Sequence, residues 1–396
     1  MLSGGGARGA YEVGVIRYVR EKIKGPTPFF CITGSSVGAI NGAYLAATAN
    51  RPLAQARMLA RLWSDLDLDQ VFKMGWRQIR NLPQLLLGGP RRGDNNDQTI
   101  GGLVDAAYLE SVVRTRIPWA GITENLTRGH IHAFACSATK LNTGTTKIFV
   151  QTRSGQLPAW PVDPGQTVEH TQITAAHALA SAAIPVLFPA VRVGPEFYVD
   201  GSLRQNTPIR PAMRLGANRL LVIGLRKKAT PHPAPGDVGS ADHPISPNAV
   251  FMLGKVLNAL MLDKLEADLA RIERTNALLA TGRSLYGDDF AEKLGAAIPG
   301  RAGRPYARIG VQLIQPSENL GTIAYDVIRR TGLRRYSSVM ARWLRRTMDA
   351  SEQAHENDLA SYILWDPDYS HELMELGFAD ARAHHDEIAA LFEPVS

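Results

Sequence analysis

Along residues 1–228, short apolar, β-rich runs alternate with helical stretches. Residues 29–33 (Phe-Phe-Cys-Ile-Thr) form a continuous apolar run that predicts a buried strand, and 37–47 predict a helix rich in small residues. Runs at 132–136, 147–150 and 219–224 predict further strands. Strands alternating with helices imply an α/β fold: a three-layer sandwich with a mostly parallel central sheet flanked by helices. Residues 229–248 interrupt the pattern with five prolines and two glycines, too many for a regular element, and predict a linker. Beyond it the period turns helical. Leu257, Leu260, Met261, Leu265, Leu269 and Ile272 recur at three-to-four spacing across 250–280, a loop is expected near 297–306, and helices at 324–354 and 371–392. The expected organisation is an α/β domain at 1–228, a Pro/Gly-rich linker at 229–248 and a mainly helical region at 249–396.

Composition narrows the class. Of 396 residues, 45% are hydrophobic and 20% charged, which suits a chain that buries a core and excludes a disordered or fibrous protein. The net charge of +7 permits contact with anionic surfaces without calling for nucleic acid, and no nucleic-acid partner is expected. Seven of the arginines fall at 329, 330, 334, 335, 342, 345 and 346, a segment that is either a solvated helical face or a surface attracted to anionic lipid. Cys31 and Cys136 lie far apart and form no CxxC pair, so neither a disulfide framework nor a cysteine-based metal site is expected. A reducing, cytoplasmic compartment follows, and no secretory signal is expected. The uncharged stretches at 25–50 and 175–191 are broken by Pro26, Pro28, Gly34, Pro185 and Pro189. A span needs about 20 mostly apolar residues, so contact with a membrane would be peripheral.

Two motifs carry the chemistry. Gly4-Gly5-Gly6-Ala7-Arg8-Gly9 matches GxGxxG literally, but the next strand ends in Gly34-Ser35-Ser36, with no carboxylate for a ribose. The other use of such a loop is a row of free backbone N–H groups, an oxyanion hole or anion nest. Arg8 has three readings: a support for the loop, a phosphate contact or a surface arginine. The second motif, Gly34-Ser35-Ser36-Val37-Gly38, is a GxSxG between a predicted strand and a predicted helix. In such an elbow Ser36 Oγ projects over the sheet edge, and the glycines at 34 and 38 avoid collisions with strand and helix. Downstream, Phe197-Tyr198-Val199 runs into Asp200-Gly201, placing a carboxylate at a strand's C-terminal end, on the rim where Ser36 sits. Before it comes Ala180-Ser181-Ala182-Ala183-Ile184-Pro185-Val186-Leu187-Phe188-Pro189.

Taken in order, the glycine loop, GSSVG, ASAAIPVLFP and Asp200-Gly201 resemble the patatin-like phospholipase family over residues 1 to about 226. The helical remainder resembles the extension of bacterial members. The resemblance implies a serine–aspartate dyad, with Ser36 as nucleophile, Asp200 as base, and Gly4, Gly5, Gly6 and Arg8 in the oxyanion loop. It implies lipid acyl hydrolysis through an acyl-enzyme, on a lipid or phospholipid substrate, with no metal and no organic cofactor. Two departures stand out. Ser202 occupies a place the family usually fills with glycine or alanine, and the first strand is reduced to Met1-Leu2-Ser3, which leads us to expect a short β-rich segment upstream.

Two other functions were weighed. A Ser-His-Asp esterase of the α/β-hydrolase type would need a later histidine such as His232, His243 or His355, and GxSxG arrives after only one βα unit. A catalytically inactive lipid-binding scaffold would have no need of both Ser36 and Asp200. Met74-Gly75-Trp76 and the leucines at 82 and 85–87 read as a core helix with a loop or as an apolar flap over the site. His170 and His177 are expected on a helix or loop surface, without a role.

Overall fold

The computed structural model describes residues 1–72, 99–100, 106–160, 163–185, 187–205, 207–227, 265–298, 306–350 and 358–393. The predicted linker at 229–248, the apolar stretch at 74–87 and the first part of the helical run at 250–264 lie outside the described residues. The chain opens with a 3-10 turn (Gly6–Gly9), α1 (Ala10–Lys22), β1 (Cys31–Ser35), α2 (Val37–Ala47), α3 (Pro52–Ser64) and α4 (Leu68–Val71). Then come β2 (Thr99–Ile100), α5 (Ala107–Arg116), α6 (Ala120–Arg128), β3 (Ala133–Lys140), β4 (Thr146–Thr152) and β5 (Gln166–His170). They are followed by α7 (Ala175–Ser181), β6 (Ala190–Val193), β7 (Glu196–Asp200), α8 (Ile209–Arg214) and β8 (Arg219–Ile223). The C-terminal part holds α9 (Leu265–Tyr286), α10 (Phe290–Ala297), β9 (Gly310–Ile314), α11 (Leu320–Thr331) and α12 (Val339–Ala350). It ends with α13 (Asp358–Ile363), α14 (Pro367–Ala383) and α15 (His385–Ala390).

The architecture is α/β, a central sheet flanked by helices, with a mainly helical C-terminal part. β1 pairs in parallel with β3, Thr33 opposite Ala135. On its other side run the first three residues. Leu2 N donates to Thr33 O, Ser35 N donates to Leu2 O, and Ile223 N donates to Met1 O. Leu2 thereby bridges β1 and β8 in parallel, and β9 continues the sheet beyond β8. Both neighbouring strands thus supply hydrogen-bond partners to these three residues. Past β3 the pairing turns antiparallel with β4 and, at the far end of β3, with β7, where Ala138 faces Asp200. β6 and β2 extend that wing in antiparallel fashion, and β5 runs parallel to β4. β3–β4 and β6–β7 are hairpins with short connections, a form only antiparallel strands can take, whereas β3–β7 and β2–β6 pair strands far apart in the chain.

Side chains alternate across the strands and build a core on each face. Leu220 and Val222 of β8 pack with Ile209, Ala212, Leu265 and Ile272 on one face, while Ile223 joins the main core on the other. The main core also takes in the C-terminal helices. α14 lies along α1 so closely that a Cβ at Gly14 would stand 2.0 Å from Met374 O, and one at Gly377 would stand 2.2 Å from Tyr11 O. Tyr11 Oη donates to Asp380 Oδ2 at 2.8 Å across this contact. Tyr369, Leu373 and Met374 are buried in it, each worth about 1.5–3 kcal/mol of removed apolar surface.

The helix predicted at 324–354 is divided. Gly332 takes φ 58°, the left-handed cap that ends α11, and α12 begins at Val339. The helix predicted at 371–392 begins earlier, at Pro367, and breaks at His384. β9 has no counterpart among the predicted elements; its partner lies about 90 residues upstream.

Candidate active site

The site is built at the end of β1. Ser36 adopts φ 53° and ψ −128°, a strained conformation for a residue with a side chain, before α2 starts at Val37. The flanking glycines are sterically required. A Cβ at Gly34 would lie 2.1 Å from Gly38 O, and one at Gly38 would lie 2.6 Å from Leu2 C and O. The turn thus folds back tightly on itself and against the N-terminal strand. Ser36 stands at the N-terminal, positive end of α2.

Asp200 ends β7, and its backbone pairing with Ala138 of β3 carries it to Ser36. Ser36 Oγ donates to Asp200 Oδ2 at 2.6 Å. The second carboxylate oxygen, Oδ1, accepts the Ser202 backbone N–H at 2.7 Å. Asp200 N donates to Ala183 O and Thr139 Oγ1 donates to Asp200 O, both at 2.9 Å, so the residue is held from all sides. Ser36 is 1% exposed and Asp200 0%. Burial pushes the Asp200 carboxyl up to about 6, against the opposing pull of the hydrogen bonds from Ser36 and Ser202. A base raised towards neutral pH takes a proton more readily once ionised.

Ser181, inside the quoted ASAAIPVLFP segment, fixes the elbow. Its Oγ accepts the Ser36 backbone N–H at 2.9 Å and donates to Ser137 O at 2.6 Å. Nothing in the sequence distinguished it from its small neighbours. His177, expected at a surface, is buried: its Nδ1 is 3.0 Å from Thr174 Oγ1, capping α7, and its ring meets Phe149 edge-on. Burial lowers its pKa to about 4. Among the described residues no histidine is hydrogen-bonded to Ser36 or Asp200; His232, His243 and His355 lie outside them.

The glycine loop leaves the sheet beside the elbow. Ser3 anchors it: its N–H donates to Glu12 Oε1 and its Oγ donates to Ile223 O, both at 2.7 Å. Glu12 is fully buried and also accepts from Asn41 Nδ2 of α2 at 2.9 Å, while Asn41 Oδ1 accepts the Trp63 indole N–H at 2.9 Å. Burial raises Glu12 to about 8. Sequence reasoning passed over this pair, although Asn41 is the lone polar side chain of α2 and Glu12 the lone acid at the start of α1. Among the described residues, the N–H groups of Gly4, Gly5 and Gly6 find no acceptor. Arg8, at 5% exposed, is no surface arginine.

A buried serine on a strained strand–turn–helix elbow, with a carboxylate on its hydroxyl, is the arrangement of a serine hydrolase on an α/β sheet. The family model for patatin-like phospholipase matches residues 1–213, and the chain belongs to that family. Lipid acyl hydrolysis is the family's general reaction. No curated protein matches the chain. Among solved structures the chain is similar to VipD from Legionella pneumophila at 14% identity and a TM-score of 0.29, covering 94% of this chain and 66% of that one. The chain therefore spans just under two thirds of that protein's length.

Proposed function

We propose that the protein is a serine lipid acyl hydrolase working through a Ser36–Asp200 dyad. The observation that carries this reading is the 2.6 Å contact between Ser36 Oγ and Asp200 Oδ2 at a strained elbow. Ionised Asp200 takes the hydroxyl proton as Ser36 Oγ attacks the ester carbonyl. The oxyanion forms against backbone N–H groups of Gly4, Gly5 and Gly6, in a site with little water to weaken them. Asp200 returns the proton to the leaving alcohol, and an acyl-Ser36 ester remains. Water, deprotonated by Asp200, then releases the fatty acid and restores the serine. Every proton is accounted for between Ser36, Asp200, substrate and water, so the cycle asks for no metal or organic cofactor.

A cavity of about 380 Å³ supports a long apolar acyl group over a small ester. Leu109, Leu179, Phe188 and Val191 line it, with Arg114 and Arg192 also in its wall. Ala183 lines it too, and its carbonyl accepts the Asp200 N–H, so cavity and dyad share a wall. Among the described residues no helix is long and apolar enough to cross a membrane. From the net charge of +7 and a composition with only two cysteines we propose a cytoplasmic enzyme with peripheral contact to anionic membranes. The test is turnover of phospholipid, lysophospholipid and glyceride in mixed micelles by wild type, Ser36→Ala and Asp200→Asn. Release of fatty acid by the wild type alone supports the reading. Release undiminished in Ser36→Ala refutes it.

A further inference from the structure

Arg8 belongs to the glycine motif, yet its guanidinium points to the other end of the chain. Its Nε donates to Ser361 Oγ at 2.7 Å, and its plane lies 3.8 Å from the centre of the Tyr362 ring. The Tyr362 carbonyl closes on the loop itself: a Cβ at Gly6 would stand 2.3 Å from Tyr362 O, and Gly6 has φ 57°. Only glycine meets both conditions. α13, which carries Ser361 and Tyr362, is itself set in the core, with Ser361 at 0% exposed and Leu364 and Trp365 buried behind it. Trp365 stacks on Trp63, the residue whose indole reaches Asn41, with ring centres 5.3 Å apart. All of these C-terminal residues lie outside the matched region at 1–213.

Three consecutive glycines have more freedom to lose than any other residues. An oxyanion hole works only when its donors stand about 2.7–3.1 Å from the developing charge. The sheet holds the loop at Ser3, through Glu12 and Ile223. The far end needs a second anchor; Asn41 Nδ2 donates to Gly9 O at 3.2 Å, and Ser361 and Tyr362 hold Arg8 and Gly6. We propose that the Ser361–Tyr362 step of α13 is a positioning element for the Gly4–Gly6 loop, acting through Arg8 and through direct packing on Gly6. It contributes to turnover without touching substrate. The inference rests on the dyad reading.

The experiment is steady-state hydrolysis of a short-chain aryl ester by the full chain. Active sites are titrated to completion with a fluorophosphonate, and folding is checked by thermal melting. In Tyr362→Leu, which loses the ring facing Arg8, and in Arg8→Lys, which loses the planar fork, kcat per titrated site should fall at least about tenfold, part of the effect of losing one oxyanion donor. KM should stay within about twofold, since a misplaced oxyanion donor acts on the transition state. Tyr362→Phe keeps the ring and should stay close to wild type. Should Tyr362→Leu fail to fold, Ser361→Ala carries the test, with kcat lowered at unchanged KM. Unchanged kcat in the folded variants, or Tyr362→Phe as impaired as Tyr362→Leu, overturns the inference while the dyad stands. A wild type whose turnover does not depend on Ser36 overturns both.

Discussion

Asp200→Asn should make the protein inactive and, at neutral pH, more stable. The carboxyl is fully buried and sits at about 6 instead of an ordinary 3.8, because burial disfavours its charge more than the Ser36 and Ser202 donors favour it. That displacement is about two pKa units, and each unit is worth about 1.4 kcal/mol. Ionised Asp200 therefore costs the fold about 3 kcal/mol. The sign follows from proton linkage. Below the unfolded value of 3.8 both states hold the proton and nothing is lost. As pH rises from about 4 to about 6 the unfolded chain releases its proton first, so stability falls, and above about 6 the cost is complete. Asparagine has the same shape. Its Oδ1 can accept the Ser202 N–H, and its amide can donate to Ser36 Oγ, without the charge. At about 2.1 cal/mol/K per residue, unfolding all 396 residues has an entropy near 0.8 kcal/mol/K. The gain then corresponds to about 3–4 °C in Tm. The assay is thermal unfolding of wild type and Asp200→Asn at pH 4, 5, 6 and 7.5. Other titrating groups, Glu12 among them, contribute equally to both proteins and drop out of the difference. The Tm difference should be near zero at pH 4 and grow to its full value by pH 7.5. A difference that is flat with pH, or a variant less stable at pH 7.5, would refute the reasoning.

Other outcomes follow from the same geometry. The pH profile of kcat/KM should rise with an apparent pKa of about 6 on its acid limb, reporting ionisation of Asp200; activity undiminished well below that value would contradict the assignment. Ser36→Gly should be more stable than Ser36→Ala by about 1–3 kcal/mol in chemical denaturation, because φ 53° strains any residue with a Cβ; equal stability would argue against the strained elbow. For membrane contact, Arg330 and Arg335 are already paired with Glu372 and with Asp366 and Asp368. Replacing Arg329, Arg334, Arg345 and Arg346 with glutamine should therefore weaken co-sedimentation with anionic vesicles at low salt. Unchanged sedimentation would remove the surface from the account.

What could be read ahead of the structure was what the chain decides locally. The elbow is legible because its motif is local: a Cβ at Gly34 would strike the Gly38 backbone within the same five residues, although the need for glycine at 38 comes from Leu2 and Ser3 of the N-terminal strand. α2 and β8 were legible because each is a nearly continuous run of small or apolar residues, of a length that suits a buried helix or a buried strand. Contacts between distant segments were not. β9 owes its existence to β8, and the three-residue N-terminal strand owes its order to partners on both sides. Ser181 is one small residue among several, and only the fold shows that its hydroxyl meets the Ser36 N–H. Arg8 could be a support, a phosphate ligand or a surface residue until Ser361, more than 350 positions away, is seen against it. His177 was misjudged because a buried cap and an exposed histidine have the same local sequence.

The most direct test of the central claim is to catch the acyl-enzyme. Hydrolysis of a long-chain aryl ester would be stopped with acid during steady turnover, and the protein digested and read by peptide mass spectrometry. The account predicts the acyl mass on the peptide carrying Ser36, and its loss from both Ser36→Ala and Asp200→Asn. An acyl group on another residue, or turnover that continues in Ser36→Ala, would contradict it.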